Sequence, residues 1–187
     1  NSGKLVAADA YLAFDAGAFA GSPVSAAAQC VFSCYDIENM RVDGFDVVVN
    51  KPKTAAYRAP AAPSAAFAGE QVVDEICLKL EMDPIEFRLI NASKEGTRRV
   101  DGPVFQRVGN IECLEAAKDS EQFKSPAGGP WRGRGVASGF WFNVGLQSSC
   151  SIAVNPDGTI SLVTGSTDIG GTRASIAMHA AEVLGIN

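Results

Sequence analysis

The sequence predicts an α+β fold in which mixed or antiparallel strands pack against helices. Two patterns support it: segments that alternate with the period of a strand, and segments with the three- and four-residue spacing of a helix. The composition, 47% hydrophobic and 20% charged residues, is that of an ordinary globular protein. A length of 187 residues allows one sizeable core or two small ones.

Charge and composition argue against several functional classes. The net charge of −5 and the lack of a basic patch argue against a nucleic-acid partner. The longest apolar run, residues 55–69, contains Arg58 and two prolines, so it cannot serve as a membrane span. Five scattered cysteines indicate a reducing cytoplasm rather than a disulfide framework. The chain lacks an initiator methionine and stops just after a helical pattern, so we expect a piece of a longer protein.

Two strands and a short helix are predicted for the first part of the chain. Alternation places strands over residues 5–14 and 40–49, the second exposed at its start and buried at its end. The glycines after the first strand indicate a bulge or a close backbone approach. Ser22 as N-cap and Pro23 as first helical residue predict a helix that continues over residues 25–35.

Residues 54–64 are the most distinctive segment: a loop of small residues and prolines that carries one cation. Pro60 and Pro63 stiffen the loop, and a helix with its apolar residues on one face follows at once. A stiff loop that presents Tyr57 and Arg58 before a buried helix is a candidate site edge. The local pattern alone favours the alternative, an ordinary connection with a surface arginine.

Two further helices and a linker complete the first region. Asp83, followed by proline, caps one helix, and Asn110 begins the other. Residues 125–134 are rich in glycine and proline and are the best linker candidate, dividing region 1–124 from region 135–187.

Region 135–187 is predicted to contain a strand over residues 135–142, a β-hairpin with its turn at residues 155–158, a glycine-rich loop and a helix over residues 172–184. Backbone amides at such a loop and helix start can hold an anion. The loop, residues 165–171, lacks the Walker lysine and the G-x-G-x-x-G spacing, so a tight turn explains it as well.

Few side chains stand out as carriers of chemistry. Phe140 and Trp141 belong to an aromatic cluster whose default role is the core and whose alternative role is to line a pocket. His179 is the only histidine and has no partners for a metal site or a catalytic triad. Glu70 and the acids that follow it are interpreted as surface or structural charges rather than an acid/base pair.

Three stretches together resemble one family. They are residues 56–70 (Ala-Tyr-Arg-Ala-Pro-Ala-Ala-Pro-Ser-Ala-Ala-Phe-Ala-Gly-Glu), residues 82–91 (Met-Asp-Pro-Ile-Glu-Phe-Arg-Leu-Ile-Asn) and a later set that includes Thr-Gly-Ser-Thr-Asp-Ile-Gly-Gly and Ala-Glu-Val-Leu-Gly-Ile. In order and spacing they look like the molybdenum-binding subunit of the xanthine dehydrogenase, aldehyde oxidase and carbon monoxide dehydrogenase family. The likeness covers nearly the whole chain.

The resemblance implies a fragment of a molybdenum hydroxylase that oxidises an aldehyde or N-heterocycle with a water-derived oxygen. It implies molybdenum on molybdopterin or its cytosine dinucleotide form, and electron transfer to iron–sulfur and FAD centres on partner domains or subunits. The family's general-base glutamate would lie beyond Asn187, so we expect the fragment to be inactive alone.

The resemblance also assigns residues, none of which would bind the metal directly. The cofactor contacts of the family correspond to Tyr57, Arg58, Ala59, Gly170, Gly171 and Thr172. Its substrate pocket corresponds to Pro60, Phe140 and Trp141.

Several positions depart from the family pattern. Thr172 follows the two glycines where the family usually has a glutamine, so contact with the pterin there would be made by backbone. Ala59 stands where carbon monoxide dehydrogenases carry a cysteine, and Ala26 stands near the substrate arginine of xanthine-type enzymes. Pro60 replaces a common pocket phenylalanine. These differences favour an aldehyde or heterocycle hydroxylase over a carbon monoxide or purine enzyme.

Two other functional classes stay open on the sequence. A non-catalytic homologue that acts as a binding or scaffold module is supported by the missing glutamine and opposed by the retained Tyr57 and Arg58. A small anion- or nucleotide-binding domain would use the glycine-rich loop, but it lacks the expected lysine.

Overall fold

The computed structural model describes residues 2–126, 128–142 and 147–186. The chain forms two compact units, Asn1–Trp141 and Phe142–Asn187. The first unit contains β1 (Ala7–Gly17), α1 (Val24–Cys30), β2 (Asn39–Val48), α2 (Ala62–Leu80), α3 (Pro84–Asn91), α4 (Asn110–Asp119) and α5 (Glu121–Lys124). The second contains β3 (Cys150–Val154), β4 (Ile160–Thr164) and α6 (Thr172–Leu184). The predicted α+β class is confirmed.

The first two strands pair in parallel, and a bulge lies at the end of β1. The register shifts between Asp15 and Gly17, which has a φ of +72°. A Cβ at Gly17 would lie 2.1 Å from the carbonyl oxygen of Pro52, so only glycine fits there. The predicted bulge and close backbone approach are therefore both confirmed.

One face of this sheet is covered and the other is open. Alternate residues of β1, among them Leu12 and Phe14, pack with α1 and the start of α2. The prediction that the second strand becomes buried at its end is wrong, because its apolar residues Phe45 and Val47 point to the other face, where they are 45% and 40% exposed. On that face the ring of Phe45 packs against Tyr11, with centroids 4.7 Å apart.

The start and length of α1 differ from the prediction. The N-cap residue is Pro23 rather than Ser22, whose side chain makes no capping bond, and the helix ends at Cys30. The carboxylate of Asp46 on β2 instead accepts hydrogen bonds from the amides of Gly21 and Ser22, at 2.5 and 2.8 Å. A neighbouring strand thus holds the two residues that precede the helix, and the serine hydroxyl does not cap it.

The long helix α2 buries one face, as the spacing of its apolar residues predicts, with one difference. Val73 and Cys77 are buried as expected, but Val72 is 57% exposed. Glu70, interpreted as a surface or structural charge, is buried on the same face and is a structural charge. Because α2 covers the sheet with one narrow face, the residue next to the stripe is left outside.

Helix α3 is capped as predicted and holds the start of the chain. The carboxylate of Asp83 accepts hydrogen bonds from the amides of Ile85 and Glu86, at 2.8 and 3.0 Å. The buried amide of Asn91 accepts from the Leu5 amide at 2.7 Å and donates to the Gly3 carbonyl at 2.8 Å. The N-terminal segment is therefore fixed to this helix.

The predicted strand over residues 135–142 is wrong: in the described part, this segment is extended but joins no β-ladder. In the second unit, β3 and β4 form the predicted antiparallel hairpin. Its turn closes through a 3.0 Å bond from the Gly158 amide to the Asn155 carbonyl, and Gly158 has a φ of +82°. Helix α6 confirms the last predicted helix, although Val183 is 86% exposed rather than part of a buried stripe.

Two findings concern the environment of the chain. Among the helices of the described residues, none combines the length and apolarity that a membrane span needs. All five cysteines are unpaired: Cys30, Cys34 and Cys77 are buried, whereas Cys113 and Cys150 are exposed. Burial raises the pKa of Cys30 to about 11 and that of Cys34 to about 12.

The thiols should react in two classes. Cys113 and Cys150 are expected to react with a disulfide reagent in the folded protein, whereas the three buried thiols need denaturation, because they are both covered and protonated. Counting released thiolate before and after adding guanidinium checks this. Replacing both exposed cysteines by serine should remove the fast class alone; a fast reaction that survives would contradict the burial.

The Asp83 cap should carry measurable stability. Asp83→Ala is expected to lower the free energy of unfolding by about 1 kcal/mol, because two amides lose their acceptor. Glu75→Ala, an exposed acid on α2, is the matched control and should change stability by less than about 0.5 kcal/mol. Urea unfolding measures both, and equal effects would show that the cap is idle.

Candidate functional site

The loop of residues 54–64 is anchored at the end of β1. The Thr54 amide donates to the Ala16 carbonyl at 3.1 Å, and the Thr54 hydroxyl donates to the Asp15 carbonyl at 2.8 Å. The ammonium of Lys51 lies 2.8 Å from the Asp15 carboxylate. The loop therefore leaves the sheet from a fixed point.

The same loop contains two alanines in a left-handed conformation. Ala59 and Ala61, on either side of Pro60, have φ values of +50° and +62°. This region costs an L-residue on the order of 1 kcal/mol. The Ala62 amide closes the turn with a 3.0 Å bond to the Ala59 carbonyl, and the Ala61 carbonyl accepts from the first turn of α2. Such backbone strain is concentrated at functional sites.

The loop presents its two largest side chains to solvent. Tyr57 is 88% exposed, and Arg58 is exposed and has no hydrogen-bond or ion-pair partner among the described residues. Ala59 and Pro60 are half-buried. An unpartnered guanidinium on a fixed loop is available for an anionic group.

The glycine-rich loop of the second unit leads directly into α6. Gly170 and Gly171 have φ values of +87° and +105°, and a Cβ at Gly171 would meet no atom within 4 Å. The Gly171 amide donates to the Asp168 carboxylate at 2.8 Å, and Arg173 pairs with Asp168 at 3.5 Å. The hydroxyl of Thr172 accepts from the loop at 3.4 Å. The first amides of α6 lack carbonyl partners within the helix, as at every helix start.

Phe140 and Trp141 lie on the extended segment of residues 135–141 in the first unit. The ring of Phe140 meets Phe105 edge to face at 5.5 Å, and the Arg99 guanidinium lies 5.6 Å from its centroid. Trp141 is 44% exposed.

Beside this segment is a groove of about 410 Å³. It is mostly apolar and is lined by Ser33, Cys34, Ser93, residues 108–110, Cys113, Leu114, Ala117 and residues 136–140. The aromatic segment therefore borders the kind of apolar concavity in which small molecules bind.

A buried hydrogen-bond network, which the sequence did not predict, joins these elements. Arg88 of α3 is fully buried, and its guanidinium lies 2.8 Å from the carboxylate of Glu70 on α2, whose side chain is 9% exposed. Arg88 also binds Asp74 at 2.9 Å. The Glu70 carboxylate also accepts hydrogen bonds from the Tyr35 hydroxyl and from the Ser138 amide, the latter at 2.7 Å. One carboxylate thus holds two helices, the turn after α1 and the aromatic segment.

Burial and charge act together in this network. Burial raises the pKa of Tyr35, and the neighbouring Glu70 carboxylate raises it further, so the phenol stays protonated and donates. Burial alone would lower the pKa of Arg88, but the hydrogen bond to Asp74 and the nearby Glu70 charge raise it above its ordinary value. The guanidinium of Arg88 therefore stays charged in its buried position.

A signal for the network was present in the sequence. Glu70 precedes Val73 and Cys77 by three and seven residues, which places it on the buried stripe of its helix. Arg88 likewise follows Ile85 by three residues. An acid and a base at core positions of adjacent helices predict a buried pair.

The structure brings some of the predicted site residues together. Ala62 and Ala66, at the start of α2 just after the loop, line a small cleft together with Phe140. The volume of this cleft is about 10 Å³. Gly170 and its neighbours lie in the other unit, so their grouping with the first loop stays a prediction. Among the described residues, no cluster of three histidine, cysteine or acidic side chains could hold a metal ion.

Comparison with known families covers both units. A model of the molybdopterin cofactor-binding domain matches residues 1–92, and a second model of the same description matches residues 110–187. The chain belongs to the molybdopterin-binding family. The resemblance given by the sequence motifs is thereby confirmed.

Three curated relatives illustrate the family. The chain is 34% identical over 148 residues to an aldehyde oxidoreductase molybdenum-binding subunit of Escherichia coli O157:H7, covering 72% of this chain and 20% of that protein. It is 34% identical over 152 residues to a xanthine dehydrogenase molybdenum-binding subunit of the same organism, covering 73% and 20%. It is 32% identical over 121 residues to the nicotinate dehydrogenase large molybdopterin subunit of Eubacterium barkeri, covering 63% and 28%. The molybdopterin-binding chain thus spans roughly a fifth to a quarter of these relatives.

Solved structures agree on the fold. An aldehyde oxidoreductase from Desulfovibrio desulfuricans matches with a TM-score of 0.66 and 28% identity, over 86% of this chain and 19% of that one. Carbon monoxide dehydrogenase from Oligotropha carboxidovorans matches with a TM-score of 0.59 over 90% of this chain and 25% of that one. The second match, at 18% identity, shows the fold alone.

The buried pair of the molybdopterin-binding chain should be essential to its stability. Arg88→Met is expected to lower the free energy of unfolding by about 3–5 kcal/mol, because the Glu70 carboxylate stays buried without its cation. Arg98 is exposed, so Arg98→Met is the control. It should lower the free energy of unfolding by less than about 0.5 kcal/mol. Guanidinium unfolding compares the two, and similar midpoints would contradict the structural role of the pair.

Proposed function

We propose that this chain is part of the large subunit of a molybdenum hydroxylase that oxidises an aldehyde or N-heterocycle with a water-derived oxygen. The observation that carries the proposal is the match of molybdopterin-binding models to both units, at residues 1–92 and 110–187. Each match includes one of the two site loops. In this proposal each loop contacts the cofactor, and each is described in its own unit.

The residues present fit a bound pterin with an anionic phosphate. Arg58 is an exposed cation without a partner among the described residues. A Cβ at Gly171, just before α6, would meet no atom within 4 Å, and the helix start favours negative charge. In this loop the family's usual glutamine is replaced by Thr172, so backbone amides provide the contact.

The chain's own residues bind and orient, and the cofactor supplies the reaction. When bound, the molybdenum–pterin group supplies the oxygen-transfer and two-electron chemistry. Arg58 and the glycine-rich loop hold its anionic parts, while Tyr57 and Ala59 shape the wall beside it. Pro60, Phe140 and Trp141 form the apolar side that holds substrate and excludes water.

Proton transfer comes from elsewhere in the parent protein. Asp168 is the one carboxylate of the two loops, and it is occupied by the Gly171 amide and by Arg173. The resemblance to molybdenum hydroxylases implies a glutamate general base outside these 187 residues, so we propose that the chain alone does not turn over substrate.

The proposed partners and location follow from the same family. The relatives' names describe molybdenum-binding subunits, which supports separate iron–sulfur and FAD subunits or domains as electron acceptors. The cofactor is proposed as molybdopterin or its cytosine dinucleotide form. The unpaired thiols suit a reducing cytoplasm.

The substrate class rests on the names of the relatives and on the loop. Relatives include an aldehyde oxidoreductase and a nicotinate dehydrogenase, which names an N-heterocycle. Position 59 is an alanine, whereas the resemblance implies a cysteine there in a carbon monoxide dehydrogenase. An aldehyde or N-heterocycle is therefore the proposed substrate.

Arg58 tests the proposal in the full-length parent co-expressed with its partners. Arg58→Ala should lower aldehyde turnover by about 100-fold, because an orienting charge at the cofactor is lost while the fold is kept. Arg107→Ala, another exposed arginine, should leave turnover within about twofold. Circular dichroism and molybdenum analysis accompany the rate measurement.

Two results would contradict the proposal. Full-length protein purified without molybdenum would favour the non-catalytic scaffold, and unchanged turnover of Arg58→Ala would make Arg58 a surface residue only. Retained phosphate binding without molybdenum would favour the anion-binding domain.

A further inference from the structure

We propose that Glu70 is a positioning residue that sets the place of Phe140 and Trp141 against the cofactor loop. The proposal rests on the function proposed above for these aromatic residues and for residues 54–64. Its own basis is the bond from the Ser138 amide to the Glu70 carboxylate, 2.7 Å long. We call this bond and the ion pair behind it the Glu70 latch.

The latch joins two segments that are distant in sequence and side by side in space. Glu70 lies on α2, two turns beyond the loop of residues 54–64, and Ser138 is two residues before Phe140. Ala62 and Ala66 of α2 line the same narrow cleft as Phe140. The volume of this cleft is about 10 Å³, which leaves no room for a ligand between the helix and the aromatic ring. The aromatic segment therefore packs directly on the helix that begins at the loop.

The segment belongs to no helix or strand, and Val136 and Phe140 also pack against side chains of the first unit. The described residues 135–142 join no β-ladder, so their position depends on individual contacts. The Ser138 amide donates to a buried charge, and hydrogen bonds to charged groups are about twice as strong as neutral ones. Arg88 holds the acceptor in place through its Nε at 2.9 Å.

The geometry distinguishes this latch from ordinary core packing. Four donors converge on the Glu70 carboxylate: the Tyr35 hydroxyl, two guanidinium nitrogens of Arg88 and the Ser138 amide. Removing the Ser138 amide alone leaves the ion pair between α2 and α3. The positioning of the aromatic segment can therefore be separated from the stability of the helices.

Proline substitution removes that one donor. Ser138→Pro deletes the amide hydrogen, and Ser138→Ala is the matched control that keeps it. Glu70→Gln removes the negative charge and replaces one of the two acceptor oxygens with an NH2 donor. Each is made in a Trp131→Phe background, which leaves Trp141 as the only tryptophan; Trp131 is fully exposed, so its loss disturbs no packing. Acrylamide quenching of Trp141 in the 187-residue chain measures whether the segment is released.

We expect the latch variants to release the segment. Trp141 is 44% exposed, so quenching should rise by about twofold in Ser138→Pro and Glu70→Gln and stay unchanged in Ser138→Ala. Unchanged quenching in both latch variants overturns the proposal. Using two variants keeps the test decisive if Glu70→Gln fails to fold.

The functional part is tested in the full-length parent with two probes, benzaldehyde and acetaldehyde. Misplaced aromatic residues affect the larger aromatic probe most, so the ratio of kcat/KM for benzaldehyde to that for acetaldehyde should fall by about tenfold in Ser138→Pro. Most of the change should be in KM, with molybdenum content unchanged. A merely structural role lowers both probes alike, and an unchanged ratio with increased quenching overturns the positioning role.

Failure of the proposed function would look different. A parent enzyme that contains no molybdenum, or that oxidises neither aldehyde before mutation, contradicts the hydroxylase itself. In that case the positioning role falls with it, whereas the quenching result still decides whether the latch exists.

Discussion

The first unit depends on one buried ion pair, between Glu70 and Arg88. Burying two charges is costly, and the cost is offset only when geometry and additional hydrogen bonds satisfy both groups. Here the carboxylate is satisfied by Arg88, by the Tyr35 hydroxyl and by the Ser138 amide. Because each donor belongs to a different segment, one side chain determines how α2, α3, the turn after α1 and the aromatic segment pack.

This constraint explains why two of the family's sequence motifs occur together. The motif that ends in Glu70 also contains the site loop, and the motif of residues 82–91 contains Arg88 and Asn91. Arg88 fixes the helix behind the loop, while Asn91 fixes the start of the chain through Leu5. The motifs that identify the family therefore include structural residues as well as proposed cofactor contacts.

Local sequence predicted those parts of the fold that local physics determines. The Asp83 cap, the turn that ends at Gly158 and the bulge at Gly17 each follow from a residue whose chemistry acts within a few positions. The errors concern long-range effects: Asp46 of β2 binds the amides of Gly21 and Ser22, and residues 135–142 are held by a side chain rather than by a ladder. Neither partner is visible from neighbouring residues.

The candidate site was predictable mainly by resemblance. Pattern alone made Arg58 an ordinary surface residue, and only likeness to a family grouped it with the loop at Gly171. The Glu70 and Arg88 pair was missed because Glu70 was interpreted as a surface or structural charge with no partner named, although helical spacing places both residues among core positions. Charged residues at core positions of a helix therefore indicate buried ion pairs, which apolar residues at the same spacing cannot reveal.

A double-mutant cycle between Glu70 and Arg88 tests the central claim most directly. Unfolding free energies of Glu70→Gln, Arg88→Met and the combined variant give the coupling energy between the two side chains. A buried pair on which the packing depends predicts a coupling of about 2–3 kcal/mol, so the double variant should lose clearly less stability than the sum of the two single variants. Additive losses, with a coupling below about 0.5 kcal/mol, would contradict the account.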